Sequence, residues 1–183
     1  MDRKWEHVLL VKICELMEEK EYILSKIGLQ QLVYILQQVY GVESSYDSKL
    51  YTYGPYSAEL TEELDELVSR NILSQKYCRG PAYYGSRLLP GENFRQVYCS
   101  EHEACLDRYE EKIKRVIQLF GSYSARELEL RAALIFLDFR YGIEKEKLQE
   151  ELLSIKPYIK EGEVQEALFE LGEIPEIKER KKG

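Results

Sequence analysis

Residues 51–89 read YTYGPYSAELTEELDELVSRNILSQKYCRGPAYYGSRLL, and this stretch decides the fold. Its first residues close a run, Tyr46 to Tyr53, in which aromatic and polar side chains nearly alternate, the pattern of a strand or extended arm. Gly54-Pro55 breaks that run. Ser57 is placed to cap a helix whose inner face is Leu60, Leu64, Leu67 and Val68. Ile72 to Cys78, the turn signal Arg79-Gly80-Pro81 and Ala82 to Leu89 then spell a hairpin, closed by Pro90-Gly91.

Strand, turn, helix and hairpin in that order are of winged-helix type, with the hairpin tip in the position of a wing. Toward the N-terminus, Trp5, Val8, Leu9, Ile13, Leu16 and Met17 recur at helical spacing. Ser25 is a suitable N-cap for a second helix with the buried stripe Leu29, Leu32, Val33, Leu36, Val39 and Tyr40, and Gly41 stands where a left-handed C′ residue belongs. Toward the C-terminus, Ser100 with Glu103 and Ser124 with Glu127 have capping-box spacing. Cys105, Tyr109, Ile113, Val116, Ile117 and Phe120 make one apolar face, whereas Ala132 to Leu137 is apolar on every side, as in a helix surrounded by neighbours. Leu148, Leu152 and Ile155, then Val164, Ala167, Leu168 and Leu171, predict two shorter helices. The expected architecture is mainly α with a small β hairpin or wing. A winged-helix-like unit over 1–91 packs on a helical unit over 92–172 that shares its core, and 173–183 is a charged, frayed tail.

The 183 residues suffice for one substantial domain or two small ones sharing a core. No apolar run approaches the roughly 18 residues that span a bilayer, and Met1 to Glu6 lacks a signal-peptide pattern, so a cytoplasmic location is expected. Four cysteines (Cys14, Cys78, Cys99, Cys105) are expected as thiols, not a disulfide framework. The 26 Lys and Arg against 33 Asp and Glu give a net charge of −7, which disfavours phosphate binding over the whole surface.

The helix Ser57 to Arg70 sets Glu59, Glu62, Glu63, Asp65 and Glu66 against Arg70 alone, and its acids are expected on the outer face. Such a helix repels phosphates and is ill suited to read a major groove. It suits a basic protein partner, with Tyr46, Tyr51, Tyr53 and Tyr56 of the adjacent arm as rigid contact surface. Tyr51, Tyr53, Tyr56, Glu59, Glu62 and Glu66 are therefore the candidate partner-binding residues. The hairpin has the opposite character. Lys76, Arg79 and Arg87 interleave with Tyr77, Tyr83 and Tyr84, so Lys76, Arg79, Tyr83, Tyr84 and Arg87 form an alternative nucleic-acid surface. Cys99, His102 and Cys105 follow Cys-x-x-His-x-x-Cys, but successive i+3 steps spread three ligands over about 9 Å of helix, too far for one tetrahedral ion. No metal site is expected. Only His7 and His102 are available as histidine bases, and no phosphate-cradling glycine loop occurs. Asp138 lies among apolar residues, and a pairing with Arg140 or another base at the helix end is its plainest account. Neither an enzyme nor a cofactor is expected.

Two stretches resemble a known family. Leu29-Gln30-Gln31-Leu32-Val33-Tyr34, followed by Tyr51-Thr52-Tyr53-Gly54-Pro55-Tyr56-Ser57, resembles the YwgA-like proteins and, more distantly, the SocA-like, phage-associated antitoxin group called Panacea. Glu127 to Leu134 also looks YwgA-like. The chain departs from the usual pattern at Gly28 and Gln31, where lysines are common in that group. The resemblance implies a winged-helix-like architecture; the wider group implies toxin neutralisation, and no catalytic residues carry over. The expected function is a non-enzymatic binding or regulatory protein with a protein partner. Nucleic acid is disfavoured by the net charge, no membrane is expected, and a homo-oligomer stays open.

Overall fold

The computed structural model describes residues 3–79 and 84–180. Helix α1 (Arg3–Glu19) is withdrawn from solvent on nearly every side, with Trp5, Leu9, Leu10, Val11, Ile13 and Cys14 all inside. Helix α2 (Lys26–Tyr40) begins where the Ser25 hydroxyl accepts the Gly28 N–H at 2.9 Å and ends at Gly41 in the left-handed region. Strands β1 (Lys49–Tyr51) and β2 (Gly54–Tyr56) form a small antiparallel hairpin with Leu50 opposite Pro55. Helix α3 (Ala58–Ser69) follows, capped by Ser57. Strands β3 (Leu73–Arg79) and β4 (Tyr84–Pro90) make a second hairpin with Lys76 opposite Arg87. Its base is joined to the α1–α2 connection, where the Leu88 N–H donates to the Leu24 carbonyl at 2.7 Å. A 3-10 turn (Phe94–Val97) leads to α4 (Ser100–Phe120), α5 (Ala125–Tyr141), α6 (Lys145–Ile155), α7 (Glu161–Glu173) and α8 (Pro175–Arg180). The fold is mainly α with two small β hairpins, and none of its described helices is long and apolar enough to cross a membrane.

The halves of the chain interlock. Helix α1 packs on α4, α2 packs on both α4 and α5, and α5 carries α6 and α7. Every residue of α5 from Leu128 to Leu137 is buried, as the all-round apolar pattern predicts. Glu129 and Arg131 are buried with them, so each charge needs a partner. Arg131 donates from Nε to Glu170 Oε2 at 3.0 Å and lies 3.8 Å from the Tyr123 ring centroid. The Ser124–Glu127 capping box forms as expected, the Ser124 N–H donating to Glu127 Oε2 at 2.8 Å.

Four local expectations change. Gly54-Pro55 does not end the extended run; it begins β2, and the reversal falls at Thr52-Tyr53. Pro55 is tolerated because the ladder has only two strands and needs no donor on its outer side. Glu63 turns inward from α3 instead of joining the acidic outer face. Helix α4 starts at Ser100 with Cys99 as N-cap, while the side chains of Ser100 and Glu103 lie outside the described residues. The stretch expected as a frayed tail contains α8. Ile174 and Ile177 are buried and Arg115 Nε meets Glu176 Oε1 at 3.1 Å.

Candidate functional site

The tyrosine hairpin is held from two directions. From α2, Gln31 Nε2 donates to the Tyr53 carbonyl at 2.8 Å. From the α6–α7 connection, Lys156 donates to the Thr52 carbonyl, to Glu129 Oε1 of α5 at 2.6 Å and to the Tyr158 hydroxyl at 3.2 Å. Three ammonium protons thus meet three acceptors. The Tyr158 hydroxyl donates in turn to Glu129 Oε1 at 2.6 Å. Burial of that hydroxyl, then its bond to the Glu129 carboxylate, raises the Tyr158 pKa to about 12. Gly54 allows this close docking. Its φ is +96°, and a Cβ there would lie 3.2 Å from Gln31 Nε2 and 3.6 Å from Glu129 Cγ.

With the turn's backbone tied inward, its rings point out. Tyr51, Tyr53 and Tyr56 are 56, 63 and 37% exposed. Tyr51 and Tyr56 meet edge to face, ring centroids 5.5 Å apart and planes inclined at 76°. Together with Tyr53, Pro55 and the exposed Ile27 of α2 they line a groove of about 460 Å³, bounded on the α3 side by Thr61. Gln30 joins hairpin to helix. Its amide accepts the Ser57 N–H at 2.9 Å and donates at 2.9 Å to both the Ser57 carbonyl and the Thr61 hydroxyl. These three bonds tie α2 to the junction of β2 and α3 at the floor of the groove.

Glu59, Glu62, Asp65 and Glu66 are exposed on α3 as the spacing predicts. Lys26 Nζ is 2.5 Å from Asp65 Oδ1, and Arg70 Nη1 is 3.0 Å from Glu66 Oε1. Tyr46 does not belong to the exposed arm. It is 5% exposed, and its hydroxyl donates to Glu63 Oε2 at 2.5 Å. Burial and that bond push its pKa far above the ordinary tyrosine value. Glu6 is buried beside it and accepts the Ser45 N–H.

The basic hairpin is a separate surface. Lys76 and Arg87 are directly opposite each other on one face of the β3–β4 ladder, and Tyr77 is 62% exposed. Arg79 is exposed near the tip, whereas Gly80, Pro81, Tyr83 and the Tyr84 side chain lie outside the described residues. At the start of α4, Cys99 is exposed, His102 is buried and Cys105 packs partly on the core; no cluster of metal-ligand side chains forms among the described residues. Arg140 reaches Asp47 Oδ1 at 3.3 Å, and Asp138 is half-buried beside Lys145 at a small cavity.

Sequence reasoning found the exposed tyrosines and the acidic ridge, but not what holds them. Gln30, Gln31, Glu129, Lys156 and Tyr158 carry that load. One signal was available: Glu129 and Arg131 stand in the run Leu128 to Leu137, whose other residues are all apolar, and buried charges demand partners. Gln31, at a position where the resembling family often has lysine, is turned inward here and 0% exposed.

Fold and site define a class: a mainly helical protein that displays a pinned aromatic hairpin beside an acidic helix. No family model matches the chain. It is 28% identical over 178 residues to the "Uncharacterized protein YwgA" of Bacillus subtilis (strain 168), a likeness covering 94% of this chain and 98% of that relative.

Proposed function

We propose that this chain is a YwgA-like, non-enzymatic binding protein that engages a protein partner through the tyrosine hairpin and the acidic face of α3. The observation that carries this reading is the pinned exposure of Tyr51, Tyr53 and Tyr56 on a turn whose carbonyls are tied to Gln31 and Lys156. Rigid aromatic rings bury much area at little entropic cost and recur as interface anchors. Holding them before the partner arrives lowers the cost of binding further. Lys156 supports the surface and is not a reacting group, since all three of its protons are engaged and it is 1% exposed. Toxin neutralisation, the activity implied by the wider SocA-like group, is one form of such binding. In the winged-helix reading, Leu24 pairs with the wing strand, and β1–β2 is an insertion ahead of the helix that would face DNA. That helix is α3, whose acidic surface argues against groove reading.

Co-purification from native cells tests the proposal. Tyr53→Ala, or Glu62→Lys with Glu66→Lys, removes the partner while circular dichroism stays unchanged; retention of the partner by both variants overturns this surface.

A second reading has its own observation. Lys76 opposite Arg87 places like charges across a ladder, which is unfavourable without a counter-anion. Nucleic acid could supply it, and Tyr77, next to Lys76, is 62% exposed. That reading requires salt-sensitive binding that weakens when Arg79 and Arg87 are neutralised.

A further inference from the structure

The groove beside the tyrosine hairpin has a lining of one chemistry and a margin of another. Tyr51 and Tyr56 form a corner of perpendicular rings, with Tyr53, Pro55 and Ile27 completing an apolar, aromatic lining. Lys26 is the one cation on the described lining, and Asp65 takes up its charge at 2.5 Å. On α3, Thr61 borders the groove and Asp65, one turn on, shares its edge, while Glu62, one turn before Asp65, stands on the adjoining exposed face just outside the lining. Glu66 is matched by Arg70, whereas Glu59 and Glu62 have no ion pair among the described residues. The net offering is aromatic surface, apolar surface and uncompensated negative charge.

We propose that this groove docks a short segment of a partner protein anchored by an arginine or lysine. The cationic head lies against the tyrosine rings with Glu62 as its counter-charge, and the alkyl stem covers Ile27 and Pro55. This rests on the partner-binding reading above and gives it a chemistry. Aromatic rings attract cations through their quadrupole, and a planar guanidinium also stacks on them. The stems of both side chains bury along apolar surface while their heads stay polar. The volume, about 460 Å³, falls in the range of roughly 300–1,000 Å³ that suits a compact ligand. It accommodates one or two side chains of a segment, not a whole helix laid in a cleft. An acidic segment would find no unpaired cation on the lining and would face Glu62 across the margin.

The test selects a random peptide library, displayed on phage, against the full chain, with Tyr53→Ala and Glu62→Lys proteins as counter-selections. Enriched sequences are expected to carry arginine or lysine next to an apolar residue. A synthetic peptide of the enriched sequence should lose roughly tenfold in affinity on either substitution, the size expected of an interface anchor, and should weaken with added salt. Both side chains are exposed, so unchanged melting curves separate lost contact from lost fold. Enrichment of acidic or purely apolar peptides overturns the inference, as does failure to enrich any sequence or indifference of affinity to both substitutions. A concentration-dependent dimer of the chain alone, dissociated by Glu62→Lys, makes the occupant a second copy and also overturns it. The broader reading is judged separately by loss of the native partner from the Tyr53→Ala protein. If that partner is lost while the selected peptides show no basic preference, only the chemistry proposed here fails.

Discussion

The Nζ of Lys156 lies 2.6 Å from Oε1 of Glu129, and the two side chains are only 1 and 9% exposed. An ion pair withdrawn this far from water gains from the weak screening around it, yet each member has surrendered its hydration. Its net worth is therefore small while both members are present, and the loss is large when one is removed. The same ammonium bonds the Thr52 carbonyl, so the pair also fixes the hairpin turn to the C-terminal helices.

Replacing one partner strands the other charge. Lys156→Met is expected to lower unfolding free energy by about 3–5 kcal/mol, and Glu129→Leu by a similar amount, the usual cost of breaking a buried pair. The double variant should recover most of that loss. Urea denaturation of the three variants and the unsubstituted chain gives the coupling directly; additive losses would exclude a coupled pair. Hydrogen exchange at 49–56 should rise in both single variants.

Gly54→Ala addresses the close docking of the turn. The side chain would have to adopt a φ of +96° while its Cβ lies 3.2 Å from Gln31 Nε2. A loss of about 1–3 kcal/mol is expected from the strained backbone, read as a lower melting temperature with exchange increased locally at the hairpin. An unchanged melting curve would mean that the turn has another low-energy arrangement.

Alkaline pH should weaken the same junction. Tyr158 has its pKa raised to about 12 from 10.0, by burial first and the Glu129 bond second; away from this junction, Tyr40 at the end of α2 is likewise raised to about 12 by burial. A folded pKa above the unfolded one means that the contribution is complete below pH 10 and is lost as pH climbs toward 12. Urea midpoints measured from pH 9 to 12 should fall across that window, and Tyr158→Phe should flatten part of the fall. A parallel profile in the variant would remove Tyr158 from the account.

Deleting 174–183 removes more than charge. Ile174 and Ile177 leave the core and Arg115 loses Glu176. A destabilisation of about 3 kcal/mol is expected, in line with burying one or two aliphatic side chains. Thermal unfolding of the shortened chain measures it; an unchanged transition would show that α8 contributes only contacts already matched by solvent.

Much of the fold was legible because local chemistry and final placement agree. Ser25, Ser57 and Ser124 cap the helices they were expected to cap, Gly41 ends α2, and the all-round apolar run in α5 is central. The legible part of the candidate site was what solvent touches: the three tyrosines and the acids of α3. The illegible part depends on sequence separation. Lys156 and Thr52 are 104 residues apart, and no periodicity links them. Tyr46 was misplaced for a related reason. Its alternating neighbours describe an extended chain, but only Glu63, brought in from α3, shows which side faces inward. Gly54-Pro55 was read as a stop because turn propensity does not reveal that a two-stranded ladder tolerates proline at its edge.

The distance between hairpin and anchor also matters in time. A chain leaving the ribosome emits Tyr51 to Tyr56 about a hundred residues before Lys156, an interval of roughly 5 to 20 seconds at ordinary synthesis rates. Throughout that interval the aromatic turn lacks the ammonium that ties down the Thr52 carbonyl and the tyrosine that shares Glu129. The tyrosine surface encoded early is thus completed late, and a truncated translation product would carry the tyrosines without their arrangement.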